Sequence, residues 1–193
     1  MSDGTISAGD GDTIETERLR LVPYRPEHIL TLIENPGEFE SSFGCPVEPG
    51  LRDFFTSGEV SNEFLASLRE LRYADPWRLG FAVVDRERRR VIGAGGFKGP
   101  PKDGAVEIAY GIVPSCQVRG YATEVARALM SHALSEASVN LIIAHTLPAN
   151  SASTTVLVRC GFVLDGEVDD PEDGLVWRWV FPVQRNAIRP EAG

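Results

Sequence analysis

Cysteine is scarce in this chain. Cys45, Cys116 and Cys160 are its 3 cysteines; they stand far apart with no C-x-x-C pair, and an odd number cannot complete an internal disulfide framework. A disulfide-stapled scaffold is excluded, and a reducing, cytoplasmic setting is expected. Long apolar runs are missing too: nothing approaches the ~20 residues of a membrane span, and MSDGTISAGDGDTIETE has neither the basic nor the apolar part of a signal peptide. A soluble, unexported protein with no membrane partner is the expectation. Basic residues are outnumbered, 19 Lys and Arg against 28 Asp and Glu, for a net charge of −9 and a pI near 4.9. That excludes nucleic acid as a partner, because phosphate-backbone binding needs clustered cations, and it suits a cationic substrate. The one basic cluster, Arg86 to Arg90, reads as a solvated hairpin turn.

Two familiar phosphate loops are also absent. There is no G-x-x-x-x-G-K-[ST], and no G-x-G-x-x-G followed by an acidic residue about twenty positions on, so a P-loop nucleotidase and a Rossmann dehydrogenase are both excluded. His28, His132 and His145 fall on separate elements without metal-ligand spacing. They read as satisfied or exposed side chains with no catalytic role, and no metal is implied.

What is present is an ordinary globular composition: 193 residues, 42% hydrophobic and 24% charged. That size predicts a single domain. The polar ends suggest flexible tails over 1–15 and 185–193, with one domain over 16–184 and no repeat or linker inside it.

Arg18 to Tyr24 alternates as a strand, and Pro26 opens a helix that Asn35-Pro36-Gly37 stops. The stretch from Glu38 to Gly58, with Phe39, Phe43, Phe54 and Phe55 among Gly and Pro, reads as a pocket wall. Ser61 is placed to cap a helix carrying Phe64, Leu65, Leu68 and Leu71, which Asp75-Pro76 ends. Leu79 to Val84, Val91 to Phe97 and Ala105 to Val113 then read as three strands of an antiparallel meander. From Ala122 the residues Val125, Ala126, Leu129, Met130, Ala133 and Leu134 continue a clean amphipathic stripe. Leu141 to Thr146 is a β-branched strand, Ser151 to Cys160 a helix, and Phe162 to Val168 with Val176 to Phe181 a final hairpin.

Between the third meander strand and the striped helix lies Pro114-Ser115-Cys116-Gln117-Val118-Arg119-Gly120-Tyr121-Ala122, a short loop running into a helix N-terminus. Unpaired N–H groups and the helix dipole collect phosphate at such a place, and Gly120 and Ala122 leave room for it. Gln117, Val118, Arg119, Gly120, Tyr121 and Ala122 read as Q/R-x-x-G-x-G/A. With GAVEIAYGIVP upstream, GYATEVARAL downstream, and N-x-x-S followed by CGF, this resembles the GCN5-related N-acetyltransferase superfamily, in particular the branch with ribosomal-protein alanine N-acetyltransferases.

The resemblance implies an α/β (α+β) acyl-CoA N-acyltransferase fold: a mixed, mostly antiparallel sheet of about seven strands, splayed in the middle and flanked by helices. It implies acetyl-CoA as cosubstrate and direct acetyl transfer to a primary amine, either a protein N-terminus or a small molecule. The amides of the 118–123 stretch, Thr123 among them, would cradle the pyrophosphate. Ile112 and Val113 would pair their backbone with the pantetheine arm, and Asn150 and Ser153 would sit near the thiol end. Val118 stands where the branch often has Gly, so that position is expected to manage without positive φ. A main-chain N–H near Ile112, at a bulge eased by Gly111, would polarise the carbonyl.

Period two puts Val106, Ile108, Tyr110 and Ile112 on one strand face and Ala105, Glu107, Ala109 and Gly111 on the other. Glu107 is then the candidate catalytic base, or a contact that holds the ammonium, or a residue facing water. Many relatives have a Tyr four residues before the Gly-Phe pair where this chain has Leu157, which leaves Ser153 as the candidate proton donor to the thiolate. Asn150 and Ser153 also read as cap and first-turn residues, Cys116 has no base in its pattern, and Trp77, Trp177 and Trp179 read as core or packing residues, with Trp77 beside Phe39 and Phe43 as an alternative lining of the acceptor pocket. The rival functions are an acyl-CoA-binding or sensing module without chemistry, and an interaction protein with an empty loop. Monomer and homodimer both stay open.

Overall fold

The computed structural model describes residues 12–56, 62–170 and 174–183. Strand β1 (Ile14–Glu15) leads into β2 (Leu19–Pro23) and helix α1 (Pro26–Glu34). Short helices α2 (Phe39–Phe43) and α3 (Asp53–Thr56) follow, then α4 (Asn62–Glu70) and α5 (Pro76–Leu79). The second half runs β3 (Phe81–Asp85), β4 (Arg90–Phe97), β5 (Ala105–Ile112), α6 (Tyr121–Ser135), β6 (Leu141–Thr146), α7 (Ala152–Arg159), β7 (Val163–Asp170) and β8 (Gly174–Pro182). The strands form one sheet in the order β1-β2-β3-β4-β5-β6-β8-β7. Every neighbouring pair is antiparallel except β5 and β6, which run parallel because α6 carries the chain across between them.

The expected α/β fold with a mixed, mostly antiparallel sheet is therefore what the chain adopts, with eight strands instead of about seven. The extra one is β1, inside the stretch read as a flexible tail: Ile14 pairs with Leu21 and Glu15 with Arg20. Two other readings change. Helix α4 ends at Glu70, before Leu71 and well short of Asp75-Pro76, which instead start α5: the Asp75 carboxylate accepts from the Trp77 N–H at 3.0 Å and Pro76 takes a first-turn position that needs no N–H. Ser61, read as a helix cap, and the tail over 185–193 lie outside the described residues.

Helix α6 buries Tyr121, Val125, Ala126, Ala128, Leu129, Met130 and Ala133 against the sheet. The approach is close enough that a Cβ on Gly95 of β4 would stand 2.9 Å from Val125 Cγ1, so a side chain there would push the helix off the strand. Phe39 and Phe43 are buried core residues stacked on one another, with Phe43 also against Tyr24 and His28. They do not line the acceptor pocket as expected, and Trp77 packs on Phe97 and His132 instead.

His28 holds the N-terminus of α1 through its Nδ1, which accepts from the Arg25 N–H at 3.2 Å. Burial lowers the pKa of His28, and burial likewise lowers that of His132. The fold thus favours the neutral form of both. Their contribution to stability is complete above the ordinary histidine value of ~6.5 and is lost as pH falls below it, because the unfolded chain takes up protons first. His28→Gln keeps an acceptor at the same helix position but cannot titrate. Its melting temperature should therefore fall less than the parent's between pH 7.5 and 5.5; equal slopes in thermal melts would contradict this role for His28.

Candidate active site

The site begins where the two parallel strands part. β5 and β6 pair only over Ala105↔Leu141, Val106↔Ile142 and Glu107↔Ile143. Beyond Glu107, β5 stays on β4 while β6 stays on β8 as far as Thr146, so a cleft opens between them. The expected bulge at Gly111 is not there: β4 and β5 keep one register from Phe97↔Ile108 to Gly93↔Ile112. Gly111 serves a different end, since a Cβ on it would stand 3.1 Å from the Phe54 ring.

Alternation in the ladder decides which backbone groups face the cleft. Lys98 N–H donates to Glu107 and Val113 N–H to Ile92, so odd positions of this stretch turn toward β4 and the even ones, Tyr110 and Ile112, turn toward the split. Val113 therefore cannot pair with a pantetheine arm: its N–H is taken by Ile92 and its carbonyl by the Cys116 N–H. The Ile112 carbonyl accepts from Gln117 Nε2 at 2.8 Å, which leaves the N–H of Ile112 and both groups of Tyr110 directed into the cleft. Tyr110 replaces Val113 in that expectation.

The loop from Pro114 to Gly120 is shaped by two left-handed residues. Gly120, at φ 79°, is the residue preceding α6, and Val118 has φ 61°. The expectation that Val118 avoids positive φ is thus corrected: the loop needs that turn whichever residue occupies it. Val118 is fully exposed, so its side chain gains nothing from packing while a β-branched residue pays a steric penalty there. Val118→Gly should raise stability by about 0.5–1 kcal/mol, a left-handed strain of roughly 1–2 kcal/mol less the entropy glycine adds to the unfolded chain. A thermal melt should show a small rise in melting temperature, and a fall would contradict the strain.

Several distant side chains hold this loop. Arg18 Nη1 donates to the Arg119 carbonyl at 2.8 Å, Arg18 pairs with Glu124, and its guanidinium lies 4.7 Å from the centre of the Tyr121 ring. The Tyr121 hydroxyl donates to Asp85 Oδ2 at 2.9 Å, an aspartate buried at the end of β3. Burial acts to raise the Glu124 pKa, but hydrogen bonds from Thr16 and Arg18 outweigh it and hold the carboxyl below its usual range. Burial and the Asp85 acceptor raise that of Tyr121.

Two cavities meet at the split. The larger, about 470 Å³, is lined by Gln117, Val118, Gly120, Tyr121, Ala122 and Thr123 along the loop and α6, by Phe54, Tyr110, Gly111 and Ile112, and by α7 from Ala152 to Arg159. The smaller, about 300 Å³, is lined by Lys98, Glu107, His145, Thr146, Leu147 and Leu157 among others. Tyr110 and Ser153 line both. The first-turn N–H groups of α6 open into the larger cavity beside a glycine without a side chain, which is the surface a pyrophosphate requires. Arg119 lies outside that lining, and exposed Asn150 lines neither cavity. Nor does Asn150 cap α7: Ser151 does, in a reciprocal pair with Thr154.

In the smaller cavity, Glu107 does not stand alone. One carboxylate oxygen, Oε1, takes His145 Nδ1 at 3.0 Å and Lys98 Nζ at 3.1 Å. The Glu107 and His145 side chains are about one-fifth exposed or less, at 20% and 17%. His145, Lys98 and Tyr110 carry no site reading in the sequence, whereas Phe54, part of the expected pocket wall, does line the larger cavity. The register Glu107↔Ile143 carries the His145 signal, since period two along β6 returns His145 to the face of Ile143. Among the described residues, no three His, Cys, Asp or Glu side chains gather as metal ligands would. No helix there is long and apolar enough to cross a membrane.

A mostly antiparallel sheet split beside a helix N-terminus, with a groove that meets a polar cavity, is the architecture of a transferase that draws on an acyl-CoA. The model of the acetyltransferase (GNAT) domain matches residues 18–163, and the chain belongs to that family. It is 30% identical over 114 residues to the uncharacterized N-acetyltransferase YjdG of Bacillus subtilis (strain 168), an alignment spanning 58% of this chain and 66% of that protein. Among solved structures, a GNAT-family acetyltransferase from Bacillus anthracis superposes with a TM-score of 0.61 at 18% identity, covering 89% of this chain and 98% of that one. A RimL ribosomal L7/L12 α-N-protein acetyltransferase in complex with coenzyme A superposes at 0.62 and 17% identity, with 89% and 98% covered. The ribosomal-protein-S5-alanine acetyltransferase from Vibrio fischeri gives 0.60 at 17%, with 89% and 96% covered. These likenesses establish the fold.

Proposed function

We propose that the protein moves acetyl from acetyl-CoA directly to a primary amine. The observation that carries this reading is the junction at Tyr110 and Ser153, where the groove suited to acetyl-CoA opens into the cavity holding Glu107. A thioester carried to that junction meets an amine arriving from the other side, so no enzyme-bound acyl group is required. The N–H groups that Tyr110 and Ile112 direct into the split are placed to polarise the thioester carbonyl. Ser153, in the first turn of α7, offers the hydroxyl that returns a proton to the departing sulfur. The carboxylate of Glu107 serves the amine, and its charge favours a cationic acceptor.

The acceptor is the amino group of a protein N-terminus or a small-molecule amine. Structural neighbours named for ribosomal-protein N-termini place N-terminal peptides first in a screen. A binding module without chemistry is opposed by the ionisable cavity joined to the groove. The test incubates the purified protein with acetyl-CoA and peptides beginning with alanine or serine, amino acids and polyamines, and detects free thiol. Amine-dependent thiol release supports the reading; acetyl-CoA binding without release to any of them would favour the module.

A further inference from the structure

We infer that His145 is the group that accepts the proton of the acceptor amine, with Glu107 as the positioning residue that orients its ring. This rests on the transferase reading above and names which side chain of that cavity does the work. Glu107 is poorly suited to take the proton itself. Its Oε1 is already engaged by two partners, Lys98 Nζ at 3.1 Å and His145 Nδ1 at 3.0 Å, so it has little room to take a substrate proton. A carboxylate is also far less basic than an amine, whereas proton transfer is most efficient to a base that titrates near the working pH. Imidazole is the side chain of that kind.

The geometry gives the ring a defined state. A carboxylate has no hydrogen to give, so at this contact Nδ1 carries the hydrogen and Nε2 presents its lone pair. Nε2 takes no hydrogen bond among the described residues, and His145 lines the same cavity as Ser153 and Tyr110. The other charged groups around the ring come from each packed element. Lys98 follows β4 and lies 4.0 Å from Asp170 at the end of β7; Arg178 of β8 stands directly opposite His145 and is paired with Asp165 of β7. Each of those cations has a carboxylate partner, so a positive charge formed on His145 is offset mainly by Glu107.

The proton and bond changes then balance. One N–H of the substrate ammonium gives its proton to Nε2, and the freed lone pair forms the C–N bond to the thioester carbonyl carbon. The C–S bond breaks with its electron pair on sulfur, the second nitrogen proton ends on that sulfur through Ser153 or water, and His145 releases its proton to solvent. Ammonium and acetyl thioester become amide, thiol and one proton.

The first test reads the tautomer. In 15N NMR of the whole protein at pH 8, the His145 ring, identified by its loss in His145→Gln, should show hydrogen on Nδ1, and Glu107→Gln should shift it toward Nε2. Hydrogen on Nε2 in the parent would overturn the proposal. The second test follows turnover of an alanine-initiated tetrapeptide from pH 5 to 9. His145→Gln should lower kcat by at least about 100-fold, leave the KM for acetyl-CoA unchanged, and remove the acid limb of the profile. Added imidazole should restore part of the rate to His145→Ala. His145→Gln turning over at the parent rate with the parent profile would overturn the role of His145 while leaving the transferase reading intact. A parent that binds acetyl-CoA but acetylates no amine would overturn both.

Discussion

Replacing Gly120 with glutamate should reduce acetyl-CoA affinity by at least about 100-fold. Three effects act together. Gly120 has φ 79°, a conformation that costs any L-residue with a Cβ roughly 1–2 kcal/mol. The new Cβ would lie 3.4 Å from Arg18 Nη2, in ordinary contact with the guanidinium that ties the loop through Arg119 and Glu124, and the rest of the glutamate side chain has to be accommodated beside it. The largest effect is electrostatic: a carboxylate enters the N-terminus of α6 where the pyrophosphate charge is to be received, and it takes those N–H groups for itself. Gly120→Ala isolates the backbone part, because its Cβ meets only the far end of a flexible side chain; a stability loss of roughly 1–2 kcal/mol is expected, with a much smaller loss of affinity than the glutamate's. Calorimetric titration of parent and both variants, with a thermal melt of each to establish folding, reads the order directly. A folded glutamate variant binding within about threefold of the parent would place the pyrophosphate elsewhere.

Glu107→Gln should lower kcat by about 10- to 100-fold while acetyl-CoA affinity stays within about twofold. The substitution preserves shape and one acceptor oxygen. It removes the charge that pairs with Lys98 at 3.1 Å and that would offset a proton on His145, so the expected loss falls on the chemical step. Affinity should survive because Glu107 lines the smaller cavity and not the groove along α6. Steady-state kinetics at saturating acceptor, with separate titration of acetyl-CoA, separates the two quantities. A variant with parental kcat would remove Glu107 from the mechanism, and a variant that lost acetyl-CoA affinity instead would make it a structural support of the groove.

The parts of this molecule that were legible in the sequence are those whose cause is local. The apolar stripe from Val125 to Ala133 is a periodicity, and it packs as α6. The turn from Asp85 to Arg90 is a short-range signal, closed by Asp85 Oδ1 accepting from the Glu87 and Arg88 N–H groups. The loop before α6 was legible because strand, glycine and helix follow one another in the chain.

What was hidden depends on register or on distance. His145 reaches Glu107 only through the parallel pairing of β5 and β6, across 38 residues of sequence. Arg18 and Glu124 stand 106 residues apart, yet they brace the same loop. β1 is two residues long, too short to show a period, and it exists because β2 offers an edge. Phe39 and Phe43 show the opposite limit: aromatic residues among Gly and Pro suggest a pocket wall, yet the same composition serves a core, and here they are core. Val118 shows that a family's preferred glycine marks a backbone requirement, which the chain meets at a steric cost when the residue changes.

The central claim is that one continuous site runs from the α6 N-terminus through the junction at Tyr110 and Ser153 to Glu107 and His145. A crystal structure of the protein soaked with acetyl-CoA tests it most directly. Bound acetyl-CoA should lay its pyrophosphate against the 120–123 amides, its pantetheine arm along Tyr110 and Ile112 in the split between β5 and β6, and its acetyl group at Ser153. Acetyl-CoA bound with its thioester away from that junction, or outside the split altogether, would contradict it.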